Sequence, residues 1–311
     1  MSQDIPKQNA RRQISVEVLA EIGALNFRAR TLADSVLHGM HRSKHHGTSV
    51  EFSEHKKYSP GDDVRHLDWR AYARHDRDYI KQFEDEANLS ALIVVDISGS
   101  MKYRRAGDTP ILSKQDYAMT CAGALAYVLA RQGDAVGLAS FADGLQIEVP
   151  PRARRGQLQE IFSKLENLES SGGTQFETAL NTLAEGMNKR MCLILLSDLL
   201  DTNAAGMEAL GRVAARRHDV SLFHILDPDE IEFPFDGSTL FTDLEGSREV
   251  PIDAQAIKEA YLKEMNDFLS SVKTRTRSAR VEYELVRTDQ SPTRLLSRYL
   301  TTRTSARRSI R

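Results

Sequence analysis

The sequence predicts an α/β fold built on a doubly wound, mostly parallel, Rossmann-like sheet. Two observations predict it. Short apolar runs recur at Leu92 to Val95, Ala135 to Phe141, Met191 to Leu196, Val220 to Leu226 and Val281 to Val286. Runs of that length without polar alternation suit strands covered on both faces, as in a parallel sheet. Helix-like segments near residues 114–131, 156–168, 176–188, 204–217 and 253–273 fall between them. Strands alternating with helices imply βαβ units, and right-handed crossovers then place helices on both faces of the sheet.

Four stretches follow from the pattern. Residues 1–13 are polar and are expected to form a disordered tail. Residues 14–88 are expected to hold a helix and a β-rich segment packed on the main domain. Val18, Ile22, Leu25, Ala29, Leu32 and Val36 step by three and four, which puts them on one helical face. His38 to Gly47 reads as a polar loop, Val50 and Phe52 as a short strand, and Val64 to Phe83 as extended chain. Between the last two, Ser59-Pro60-Gly61-Asp62 is a turn with Pro and Gly at its central positions. Residues 89–300 form the main α/β domain. Residues 301–311 read as a basic tail, since no acid follows Asp289 while Arg294, Arg298, Arg303, Arg307, Arg308 and Arg311 do.

Composition excludes several classes. The 311 residues carry a formal charge of −2, which gives no reason to expect global affinity for nucleic acid or acidic membranes. No segment approaches the ~20 apolar residues of a membrane span, and the first residues lack an apolar signal core. Cys121 falls in an expected helix and Cys192 in an apolar strand. Two such thiols suit a reducing compartment better than a disulfide framework, so a cytoplasmic protein is expected. GxxxxGK[ST], GxGxxG, HExxH and GxSxG are all missing, so neither ATP binding nor those hydrolase chemistries are expected.

The chemistry gathers at strand ends. The first apolar run closes in Asp96-Ile97-Ser98-Gly99-Ser100, and ligands of open α/β sheets sit outside the carboxyl ends of strands. Alternate residues there can point the same way, so Asp96, Ser98 and Ser100 can converge while Gly99 permits a tight turn. The loop Ser171-Gly172-Gly173-Thr174 and the strand end Leu195-Leu196-Ser197-Asp198 have equivalent placements. Two carboxylates and three hydroxyls from Asp96, Ser98, Ser100, Thr174 and Asp198 are hard oxygen donors, suited to Mg²⁺, Mn²⁺ or Ca²⁺. Two carboxylates are too few for a closed cage, so an open coordination position is expected. Taken alone, an Asp followed by Ser at a strand end reads equally as a turn or helix cap.

Residues 89–286 resemble a von Willebrand factor type A domain. In that family a DxSxS motif, a Thr and an Asp form the metal-ion-dependent adhesion site, and they match Asp96, Ser98, Ser100, Thr174 and Asp198. Gly133-Asp134-Ala135-Val136-Gly137-Leu138 also resembles that family's second strand. Tyr58-Ser-Pro-Gly61-Asp62-Asp63-Val64-Arg65-His66-Leu67-Asp68-Trp69, followed by Ala73-Arg74, is similar to the signature of the bacterial "domain of unknown function 58" family. The resemblance implies an adaptor or co-chaperone that works with a MoxR-type AAA+ ATPase in assembling or activating a client complex, and it implies no enzymatic activity. Many members carry N-terminal membrane helices, which this sequence does not show. The alternative reading is a metal-dependent hydrolase using Asp96 and Asp198 around an activated water.

Two other features have a functional and a plainer reading. Gly61, Asp62, Arg65, Asp68 and Trp69 are either a partner-binding edge or a structural charge network anchored by the sole Trp, with the structural reading favoured. Seven of the nine histidines lie between His38 and His75, but their spacing matches no metal motif, and a solvated loop is the simpler reading.

Overall fold

Ser90–Asp96 (β3) is apolar at every position between its ends and is buried from Ala91 onward. The computed structural model places it inside a sheet; the residues described are 24–44, 55–57, 79–81, 89–105, 112–170, 172–187, 189–200, 202–244 and 249–309. The chain forms two compact units, one from residues up to Gly39 together with those from Leu89 onward, the other from Met40 to Asn88. In the smaller unit, His55–Lys57 (β1) pairs antiparallel with Tyr79–Lys81 (β2). The segment around Val50 and Phe52, the turn at Ser59–Asp62 and the signature residues Gly61, Asp62, Arg65, Asp68 and Trp69 lie outside the described residues.

In the larger unit the helices and strands follow the apolar pattern closely. After β3 come Lys114–Arg131 (α2), Ala135–Phe141 (β4), Leu145–Arg152 (β5), Gln157–Glu166 (α3), Phe176–Gly186 (α4) and Cys192–Ser197 (β6). Ala204–Ala215 (α5), Asp219–Leu226 (β7), Pro228–Glu232 (α6), Ser238–Thr242 (β8), Glu249–Asp253 (β9), Ala254–Ser278 (α7), Glu282–Arg287 (β10) and Pro292–Ser309 (α8) complete it. The main sheet has the order β10-β7-β6-β3-β4-β5. All neighbours pair in parallel except β4 with β5. After β4 and β5 on one side of β3, the chain crosses to β6 on the other. The carboxyl ends of β3 and β6 therefore flank the switch in strand order, where open α/β sheets hold ligands.

Each face of the sheet is covered by helices, so β3 and β6 can be apolar throughout. Leu92, Val94, Leu193 and Leu195 pack with Phe176, Leu180 and Leu183 of α4 and with Leu210 and Val213 of α5. α2 covers the opposite face. Leu25–Lys44 (α1) crosses α2 closely: a Cβ built on Gly123 would lie 2.9 Å from Ala29 Cβ and from Phe162. Arg28 donates to Asp116 of α2 at 3.4 Å. Leu25, Ala29, Leu32 and Val36 are buried, as their spacing predicts.

Four elements differ from the sequence expectation. α1 runs through His38–Lys44, which reads as a loop; Gly39 there costs a helix about 1 kcal/mol, which is too little to stop it. β5 carries Pro150 and Pro151, which argue against a strand except at a sheet edge, where it lies. The β8–β9 hairpin has no sustained apolar alternation. The basic tail from 301 continues α8, whose Leu295, Leu296, Tyr299 and Leu300 are buried. Cys121 and Cys192 are both buried, and neither forms a disulfide.

His224 of β7 locks two neighbours of the sheet together. It is buried, with Nε2 2.8 Å from the Asp198 carbonyl and Nδ1 3.0 Å from the Tyr283 hydroxyl. Burial pushes its pKa down to about 4. A histidine depressed in the folded state stabilises it above the unfolded value near 6.5 and loses that stability as pH falls toward 4. Urea unfolding from pH 7 to pH 4 should therefore show a loss of up to about 3 kcal/mol attributable to this group. The loss should shrink by that amount in His224→Gln, and equal pH slopes in the two proteins would contradict the assignment.

Candidate metal centre

β3 delivers Asp96 to the rim of the sheet, and the chain then tightens into a single 3-10 turn, Gly99–Lys102. Asp96 is fully buried. Its Oδ1 accepts from the Ser98 amide at 2.9 Å and its Oδ2 from the Ser197 hydroxyl at 2.6 Å. Both oxygens are thereby aimed. Burial raises the Asp96 pKa, and the neighbouring Asp198 charge raises it further; the Ser197 and Ser98 hydrogen bonds oppose them. This is the direction expected where negative charge exceeds its local compensation.

Ser98 Oγ and Ser100 Oγ are 3.0 Å apart, and Ser100 donates to Asp198 Oδ2 at 2.8 Å. A hydroxyl has one proton, so Ser98 is the donor to Ser100. Asp198 follows β6, and its Oδ1 accepts from the Leu200 amide at 3.0 Å. That turn puts buried Leu199 at φ 53, a left-handed conformation that costs a non-glycine residue about 1–2 kcal/mol and collects at functional sites. Asp96, Ser98, Ser100 and Asp198 therefore form one continuous hydrogen-bonded chain.

Thr174 reaches the same rim from the loop before α4. The Gly99 amide donates to Gly172 O at 3.0 Å, the Gly173 amide to Asp143 Oδ1 at 3.2 Å and the Gln175 amide to Ala142 O at 2.8 Å. Gly172 has φ +73 and abuts the Asp143 carboxylate, so a side chain there would be strained and would displace the group that accepts from the Gly173 amide. The loop is held by its backbone on both sides. Thr174 Oγ1 is buried and makes no hydrogen bond. A buried hydroxyl without a partner costs roughly 1–3 kcal/mol, and such an atom in a loop tied through Gly172 to Gly99 points to a ligand.

Sequence reasoning missed the cation in this cluster. Lys114 is fully buried, and its ammonium donates to Asp198 Oδ2 at 2.7 Å and to Glu230 Oε1 at 2.6 Å. Burial alone would lower its pKa, but the two carboxylates outweigh burial and leave it raised. Glu230 is placed by the capping box of α6, in which it accepts from the Asp227 amide at 2.7 Å. One local signal was legible. Lys114 is the first residue of α2, where the helix dipole disfavours a cation. Ser197 had no comparable signal, standing between the apolar run that ends at Leu196 and Asp198.

The donor set fits a divalent cation. Adjacent ligands of an octahedral Mg²⁺, at about 2.1 Å from the metal, stand about 3 Å apart, and Ser98 Oγ and Ser100 Oγ are 3.0 Å apart. Among the described residues no three His, Cys, Asp or Glu side chains group as a metal cage, so hydroxyls and water would complete the shell, as suits Mg²⁺ or Mn²⁺.

A match to the family described as "Protein of unknown function DUF58" covers residues 54–289, which include the whole centre. The chain belongs to that family. Uncharacterized proteins of Mycobacterium tuberculosis and Mycobacterium bovis are 28% identical over 242 residues, or 76% of this chain and 74% of theirs. Among solved structures, BatB of Bacteroides thetaiotaomicron is 18% identical with a TM-score of 0.48, covering 70% of this chain and 99% of that one. A von Willebrand factor type A protein of Catenulispora acidiphila is 20% identical with a TM-score of 0.31, over 44% of this chain and 33% of that one. In this DUF58 chain, no described helix is long and apolar enough to cross a membrane.

Thr174 gives the DUF58 centre a direct test. Thr174→Val removes a hydroxyl that has no partner, so without added metal the variant should be as stable as the parent or up to about 1 kcal/mol more stable. The rise in melting temperature on adding Mn²⁺ to the parent should be largely lost in the variant. A variant that is clearly less stable without metal would show that the hydroxyl is structural.

Proposed function

We propose that this DUF58 protein is a non-enzymatic, metal-dependent adaptor. In this reading Ser98, Ser100 and Thr174 hold a divalent cation, with Asp96 and Asp198 orienting its waters. The ion, Mg²⁺ or Mn²⁺ ahead of Ca²⁺, supplies a Lewis-acidic position that accepts a partner's Asp or Glu carboxylate. The observation that carries the reading is the buried, unpartnered Thr174 hydroxyl, in a loop tied to Gly99, together with the Ser98–Ser100 pair at the switch in strand order. The protein's own part is to fix the carboxylates: every oxygen of Asp96 and Asp198 is already hydrogen bonded, as outer groups around a metal characteristically are.

The resemblance to MoxR-associated proteins supplies the class of partner, a MoxR-type AAA+ ATPase acting with it on a client complex in the cytoplasm. The hydrolase alternative needs a free base beside the metal. His224 touches the cluster, but both of its ring nitrogens are engaged.

Affinity capture of the host's MoxR-type ATPase on the immobilised chain tests the proposal. Capture in millimolar Mg²⁺ should be lost in EDTA and restored by Mn²⁺. Asp96→Ala should weaken it by roughly 10- to 100-fold, the range over which altered metal surroundings change affinity. Undiminished capture in both EDTA and Asp96→Ala would sink the metal-bridged reading. Phosphatase or nuclease turnover abolished by Asp198→Ala would favour the hydrolase.

A further inference from the structure

We propose that Lys114 is an internal counter-cation that shares Asp198 with the divalent ion and sets how tightly this centre holds metal. The inference rests on the metal reading above and concerns residues outside the DxSxS pattern. Its basis is geometric. The Lys114 ammonium, fully buried, lies 2.7 Å from Asp198 Oδ2, the oxygen that also accepts the Ser100 hydroxyl. Its second contact, 2.6 Å to Glu230 Oε1, binds it to α6. The ammonium is therefore hydrogen bonded directly to a carboxylate of the centre.

Charge counting gives this placement a consequence. With Asp96 ionised, as a bound cation favours, Asp96, Asp198 and Glu230 oppose one ammonium, which leaves two negative charges, the number that a divalent cation neutralises. A cluster without Lys114 would carry three and would hold a cation more firmly. One without Glu230 would carry one, and the ammonium would rest on Asp198 alone. An adhesion centre has to release its metal-bridged partner, and an ammonium bonded to Asp198 weakens the field at the open position. Because Lys114 begins α2 and Glu230 belongs to α6, any displacement of α6 redistributes the ammonium between the two carboxylates and changes the field at the metal.

The α6 link leads to the surface. Tyr261 of α7 donates to Glu230 O at 2.8 Å, and the ring of Phe233, next after α6, packs tilted 4.5 Å from the Tyr261 ring and stacks 5.9 Å from Phe241 of the β8–β9 hairpin. The residue that shares the ammonium with Asp198 is thus linked through Tyr261 and Phe233 to a hairpin that exposes Leu240 and Val250.

Mn²⁺ titration of the full chain, by calorimetry and by loss of the free Mn²⁺ paramagnetic signal, tests this. Lys114→Met should bind Mn²⁺ roughly tenfold more tightly than the parent, and Glu230→Gln roughly tenfold more weakly, from removing one full charge a few ångströms away in a partly screened site. Lys114→Met/Glu230→Gln, which again leaves two negative charges, should bind Mn²⁺ about as tightly as the parent. Glu230→Gln keeps a side chain that can still accept from Lys114, so it tests the inference even if Lys114→Met does not fold. Variants with lower melting temperatures but Mn²⁺ dissociation constants within twofold of the parent would make Lys114 purely structural and overturn the inference. Absence of Mn²⁺ binding in the parent would overturn the metal reading itself.

Discussion

Burying a carboxylate costs several kcal/mol unless charges and donors meet it, and this fold brings three of them to one end of its sheet. Asp96 and Asp198 are fully buried and Glu230 is largely so. Lys114 compensates two of the three directly. Neighbouring donors complete the set: the Ser98, Leu200 and Asp227 amides and the Ser197 and Ser100 hydroxyls. Much local geometry follows from this requirement. The 3-10 turn after β3 brings Ser98 and Ser100 together, the left-handed Leu199 frees the Leu200 amide for Asp198, and α2 begins with a lysine despite its dipole.

The fold was legible because its core strands are buried on both faces. β3 and β6 have no polar residue between their ends, and such runs point to a parallel sheet without reference to any relative. The elements that escaped lie where that logic fails. Among the described residues β5 pairs on one side only, so its sequence can tolerate Pro150 and Pro151. The β8–β9 hairpin stands outside the main sheet. α8 buries Leu295, Leu296, Tyr299 and Leu300, yet its arginines dominate the composition and disguise the apolar face.

The centre was half legible. Asp96, Ser98, Ser100 and Asp198 could be named because strand-end carboxylates and hydroxyls share one chemistry and one topological address, and the structure joins them in one hydrogen-bonded chain. Thr174 is at the same rim, yet its hydroxyl bonds to none of them. Lys114, Glu230 and His224 were not legible as partners. They come from α2, α6 and β7, and only tertiary folding brings them to Asp198. A lysine in a helix and an acid in a capping box each have ordinary local explanations.

The prolines of β5 bear on how such a protein behaves in a crowded solution. A parallel sheet that ends in an open edge offers a row of backbone donors and acceptors to any passing strand, including that of another copy of itself. Successive residues of a strand alternate the direction of their N–H groups, so Pro150 and Pro151 delete one donor facing β4 and one facing outward. The pairing of β4 with β5 slips register beside them, which bends the edge away from a flat template. The edge is thereby made a poor place for another strand to dock. If the chain acts as the adaptor proposed above, this discourages encounters through its backbone and leaves recognition to the side chains at the ends of its strands.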